Sequence, residues 1–110
     1  MTKFLYVYHS PPLPADAPEP TPAEMEAAMK PWFDWRERVG AGMVDFGTPT
    51  AGGVRVSPDG TKPSQLQVTG YSIIEAPDLD AAIALTDGHP HLAWPGGEIE
   101  VHEAQAIPGM

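Results

Sequence analysis

Four imidazoles carry the chemistry this chain can do near neutral pH. His9, His89, His91 and His102 are its only side chains with an unperturbed pKa in that range. Two of them flank a proline in "TDGHPHLAWPGGEIEVHE", residues Thr86 to Glu103. Histidines at i and i+2 of an extended segment can set both rings on one side, which suits a metal that accepts nitrogen ligands. No third ligand stands at a telling spacing, so no metal and no cofactor is assigned. The simpler reading of Gly88-His89-Pro90-His91 is a helix end, where imidazole favours the last carbonyls and proline stops propagation. His9 closes an N-terminal apolar run and could point into a cavity. Asp45 alternates with Val44 and Phe46; turned inward, its carboxylate would be a functional signal, because buried charge is costly without a partner. On an edge strand it faces solvent instead. His9, His89 and Asp45 are therefore the candidates for acid–base work. Trp32, Tyr71, His91 and Trp94 are the candidates for ligand contact, because aromatic walls with a few polar groups are typical of small-molecule pockets.

The elements that must position these groups belong to one domain, residues 1–110. A formal charge of −9 argues against nucleic acid and against anionic membrane surfaces as partners. With no cysteine, disulfides, thiolate metal sites and a cysteine nucleophile are excluded. The apolar run Phe4–Tyr8 is too short for a signal-peptide core or a membrane span, which points to a soluble cytoplasmic protein. Phosphate-binding glycine loops and the Gly-x-Ser-x-Gly elbow are absent, which disfavours nucleotide binding and serine-hydrolase chemistry.

"KFLYVYHS" reads as a strand with Phe4, Tyr6 and Tyr8 on one face and Leu5, Val7 and His9 on the other, so it needs cover on both sides. The proline-rich "PPLPADAPEPTP" reads as a surface connection. Thr21-Pro22-Ala23-Glu24 opens a helix. Its apolar face is Met25, Ala28, Met29, Trp32, Trp35 and Val39, with a kink or break expected near Lys30 because Pro31 follows. "GMVDFGTP" is a second strand, which "GGVRV" is expected to extend into a hairpin turning at Ser57-Pro58-Asp59-Gly60. "SQLQVTGYSIIEA" is a third, with Gly70 marking a bulge or a close backbone approach. Asp78 caps a second helix whose inward residues are expected to be Leu79, Ala82, Ile83 and Thr86. "GEIEVHEAQAI" closes the chain with Ile99 and Val101 opposite Glu98, Glu100 and His102.

Right-handed crossovers turn this order into an α+β, ferredoxin-like βαββαβ fold, with a four-stranded antiparallel sheet in the order 4-1-3-2 and two helices on one face. The helices leave the other face bare. At about 25 cal/mol per Å², covering about 500 Å² would favour association by about 12 kcal/mol before association costs. A homodimer packed sheet to sheet is expected.

With Gly70-Tyr71 before an apolar strand, Asp80-Ala81-Ala82 on the second helix and Gly96-Gly97-Glu98-Ile99-Glu100-Val101 near the end, the chain resembles the YCII-related family over nearly its whole length. The resemblance implies a dimeric α/β barrel with a small-molecule cavity between sheet and helices. It also implies a His and Asp pair for acid–base catalysis, at positions that here hold Pro31 and His89. The arginine that follows Glu-Val in the family is replaced by His102. The expected function is thus a small-molecule-binding homodimer with cofactor-independent proton-transfer activity. The alternative is a non-catalytic ligand-binding or interaction module that has lost the pair.

Overall fold

Side-chain alternation in the first strand decides how the layers stack. In the computed structural model, which describes residues 1–12, 14 and 16–109, β1 (Thr2–His9) buries Phe4, Tyr6 and Tyr8 and leaves Leu5, Val7 and His9 half-buried on its reverse side. After it come α1 (Pro22–Val39), β2 (Met43–Asp45), β3 (Val54–Ser57), β4 (Gly60–Pro63), β5 (Val68–Ala76), α2 (Leu79–Ala84) and β6 (Glu98–Glu103). Four of the strands form one antiparallel sheet in the order β2-β5-β1-β6. The two strands with apolar residues on both faces are its central pair. Part of the proline-rich connection, Leu13 and Ala15, lies outside the described residues.

Register sets the core. Phe4, Tyr6 and Tyr8 stand opposite Ile74, Ser72 and Gly70 of β5, while Tyr6 and Tyr8 also stand opposite Val101 and Ile99 of β6. Trp35 of α1 and Ala82 of α2 close over this layer. The Tyr6 hydroxyl donates to the Ala82 carbonyl, and Trp35 Nε1–H donates to the Leu85 carbonyl at 2.9 Å. Burial pushes the Tyr6 phenol up to about 12. Gly70 lies close to the loop after β2, as the sequence suggests: a Cβ there would lie 3.3 Å from the Thr48 carbonyl oxygen and 3.3 Å from the Tyr8 ring.

The hairpin does not extend the sheet; β3 and β4 pair only with each other around Pro58-Asp59. Val54 and Val56, 61% and 76% exposed, bury too little to tie it down. The second strand ends early because Asp45 Oδ1 accepts the Gly47 N–H at 2.8 Å, a local turn that competes with the ladder. Ser64 does the same before the third strand by accepting the Leu66 N–H at 3.2 Å, so pairing resumes only at Val68. The second helix is rotated from its expected face. Ala82 is buried, while Leu79 and Ile83 are 47% and 49% exposed, because a small residue lets the helix approach the Tyr6 hydroxyl.

The first helix starts as its capping box dictates, with Thr21 Oγ1 accepting the Glu24 N–H and Glu24 Oε1 accepting the Thr21 N–H, both at 3.2 Å. It continues through Pro31 without the expected break. An exposed proline in mid-helix still leaves the Ala27 carbonyl without its helical donor. Pro31→Ala is therefore expected to raise unfolding free energy by about 1–2 kcal/mol, read from the midpoint of urea unfolding. No gain would mean the helix bends there for a tertiary reason.

Candidate functional site

Between the start of β5, the end of β1 and the middle of α1 lies a half-open cleft of about 840 Å³. It falls within the size range of small-molecule pockets. Tyr8, Trp32, Phe46, Tyr71, His91 and Trp94 are among its walls. All four residues expected to contact a ligand therefore border it. The three expected to do acid–base work do not, and each departs for a stated reason.

His9 belongs to the opposite face. A register shift between Tyr8 and His9 ends the regular β1–β5 pairing, and the His9 ring meets β6, with Nε2 3.0 Å from Glu100 Oε1. His102 Nε2 reaches the same oxygen at 3.3 Å. Hydrogen bonds from His9 and then His102 hold the Glu100 carboxyl below the usual carboxylate range. Asp45 is exposed on the edge strand; one oxygen accepts the Gly47 N–H and the other accepts from the Tyr71 hydroxyl at 3.4 Å.

His89 is buried behind the cleft wall. It does not end α2; it opens the 3₁₀ turn Pro90–Ala93, its Nδ1 accepting the His91 N–H at 3.0 Å. A backbone N–H can only donate, so Nδ1 holds the lone pair and the neutral ring carries its hydrogen on Nε2. Nε2 lies 3.1 Å from the Tyr8 hydroxyl, which therefore accepts there. Tyr8 donates onward to Ser72 Oγ at 2.7 Å, and Ser72 donates to the Phe46 carbonyl at 2.7 Å. The chain of donors runs one way, from the His91 amide to the Phe46 carbonyl. Trp35 and Trp32 pack on the His89 ring with centroids 4.2 and 4.8 Å away. Burial among these rings, with the His91 and Arg38 charges adding to it, pushes His89 down to about 3. Burial likewise drives the Tyr8 phenol well above the usual tyrosine range. His89 is neutral, with no lone pair to spare.

His91 is the complementary case. Its Nε2 lies 2.7 Å from the His9 carbonyl, which can only accept, so Nε2 carries the hydrogen and Nδ1 the lone pair. Among the described residues, Nδ1 has no hydrogen-bond partner, and no buried side-chain nitrogen or oxygen lacks one. His91 is 7% exposed as a residue and borders the cleft. Gly97 holds this turn in place: a Cβ there would fall 2.1 Å from the His91 carbonyl oxygen, so only glycine lets the start of β6 pass so close. Ser10 and Gln67, also on the walls, bring polar side chains without protein partners among the described residues.

Tyr8 and Ser72 are the site residues that sequence reasoning missed. The available signal was Ser72, a hydroxyl on the core-facing side of a strand whose neighbours on that side are Gly70 and Ile74. Among the described residues, no group of three or more His, Asp or Glu is placed to hold a metal ion, and no helix is long and apolar enough to cross a membrane.

No family model and no curated protein matches the chain. Among solved structures, it is similar to 5-chloro-2-hydroxyhydroquinone dehydrochlorinase from Burkholderia phenoliruptrix AC1100, solved in complex with 2,5-dihydroxybenzoquinone. The superposition has a TM-score of 0.53 and covers 96% of this chain and 95% of that one, at 15% sequence identity. The relation is one of fold: the α+β architecture of this chain, a four-stranded antiparallel sheet with two helices, is shared with an enzyme that binds a small molecule.

Proposed function

We propose that this chain binds a small organic molecule in the cleft and moves a proton on it without a cofactor, with Nδ1 of His91 as the base. The observation that carries the reading is Nδ1 itself: without a hydrogen-bond partner among the described residues, on a ring fixed by the His9 carbonyl in a residue that borders the cleft. A base needs reach to its proton first and a suitable pKa second. Ser10 and Gln67 offer the polar groups that would orient a ligand's oxygens. The shared fold with a small-molecule enzyme agrees with this reading.

The acting unit is a homodimer. Leu5, Val7, Tyr71 and Ile73 lie half-buried on the sheet face away from the helices, a surface a second copy would shield as in a dimeric α/β barrel of the YCII-related type. The dimer is expected to sediment at twice the 11.8 kDa chain mass at micromolar concentration.

Binding without turnover is the second reading, favoured by the replacement of both members of the resembled His and Asp pair, at Pro31 and His89. Titration of the protein with a set of neutral phenols and cyclic ketones, followed by calorimetry and by the fluorescence of Trp32 and Trp94, tests the common element of both. Saturable binding that Trp32→Ala weakens is the expected result. Absence of saturable binding by every member would contradict the site.

A further inference from the structure

Resting on the small-molecule reading above, we infer that the cleft selects an uncharged ring compound bearing hydroxyl or carbonyl oxygens and turns away carboxylates, phosphates and amines. Among the described residues that border it, none carries a formal charge. The chain has six Lys and Arg residues, and not one of them lies on the wall. The nearby charges are engaged elsewhere. Arg36 stacks its guanidinium over Phe33 and Phe46 at 4.9 and 5.1 Å from the ring centroids. Arg38 donates to the Asp87 carbonyl at 2.6 Å. Asp45 accepts from Gly47 and Tyr71.

An anion entering this space would give up water for aromatic faces and hydroxyls, with no Lys or Arg on the wall to receive it and a net charge of −9 opposing it. A cation meets a favourable overall field, and tryptophan faces attract it weakly, yet no carboxylate waits at the wall. A neutral ring loses nothing of that kind. It can lie against Trp32, Phe46 and Trp94, donate a hydroxyl hydrogen to His91 Nδ1 and accept from Gln67. The physical ranking is neutral first, cation second, anion last.

Three single-ring phenols that differ only in charge read this directly: para-hydroxybenzamide, para-hydroxybenzylamine and para-hydroxybenzoate, each titrated calorimetrically into the full chain at neutral pH and low salt. The amide is expected to bind saturably, with the carboxylate weaker by roughly tenfold or more and the amine between them. Thr48→Lys, an exposed substitution on the cleft rim, is expected to raise the carboxylate's affinity roughly tenfold and leave the amide's unchanged. Equal or tighter binding of the carboxylate or the amine would overturn the selectivity while leaving the site standing. So would a carboxylate affinity that ignores Thr48→Lys. If none of the three probes binds, the site itself fails, and the selectivity with it.

Discussion

Leucine in place of His89 is expected to lower the unfolding free energy by about 2–4 kcal/mol, although no ligand touches that residue. The substitution roughly keeps the volume packed by Trp32 and Trp35. It leaves the buried His91 N–H without an acceptor and deprives Tyr8 of a donor. His89→Gln, which keeps a donor near the Nε2 position, should lose about half as much, because only the His91 N–H is orphaned. Urea unfolding of the three proteins at neutral pH gives the comparison. The same residue shapes the acid limb of stability. Its pKa is pushed down to about 3 in the fold from an ordinary 6.5. Between those values the unfolded chain binds the extra proton, so stability is complete above about pH 6.5 and falls as the pH drops toward 3. The slope contributed approaches about 1.4 kcal/mol per pH unit. In His89→Leu that contribution disappears, so wild type and variant converge as the pH is lowered. Glu100 adds to the lower part of the same limb: its lowered carboxyl gives up its contribution as the pH falls from the usual carboxylate range through its folded-state value.

Gln in place of His91 is expected to do the reverse, sparing the fold and removing the chemistry. Its amide can keep the donor to the His9 carbonyl, so stability should change by less than about 1 kcal/mol. What it removes is the Nδ1 lone pair. A positioned general base contributes roughly 10²–10⁴ in rate, and this variant should lose that factor. Deuterium exchange at the α-carbon of cyclohexanone, an uncharged ring carbonyl compound, measures it by NMR. Acceleration above buffer by wild type, lost in His91→Gln and retained in His9→Gln, is the expected pattern. Equal acceleration by all three proteins would remove His91 from the role.

Local physics made much of the fold legible. The alternation of Phe4, Tyr6 and Tyr8 against Leu5, Val7 and His9 belongs to a strand shielded on both sides, and β1 sits centrally between β5 and β6. Thr21 and Glu24 start α1, Pro58-Asp59 turns the hairpin, and Ile99 and Val101 face away from Glu98, Glu100 and His102. What was not legible depends on partners far along the chain. Nothing in Gly88-His89-Pro90-His91 announces that Tyr8, 81 residues earlier, will accept from the first imidazole and that two tryptophans will enclose it. His-Pro-His looks symmetric in sequence. The fold breaks that symmetry by engaging both nitrogens of one ring as a strut and leaving the other, on a residue that borders the cleft, with one nitrogen bonded to the His9 carbonyl. His9 was legible from the same alternation: it shares the face of Leu5 and Val7, away from the cleft, where Glu100 of β6 receives it. The inward face of α2 was misread because Leu79 and Ile83 are more apolar than Ala82, yet the close approach to Tyr6 favours the smallest residue.

The division of labour between the two histidines is best tested by long-range proton–nitrogen NMR of the imidazoles, recorded from neutral pH down to pH 4 with and without para-hydroxybenzamide. The expected result is that His89 keeps its neutral Nε2–H form throughout the titration and that the amide shifts Nδ1 of His91 alone. A His89 ring that protonates in the normal histidine range, or a ligand that leaves His91 Nδ1 unmoved while binding, would contradict it.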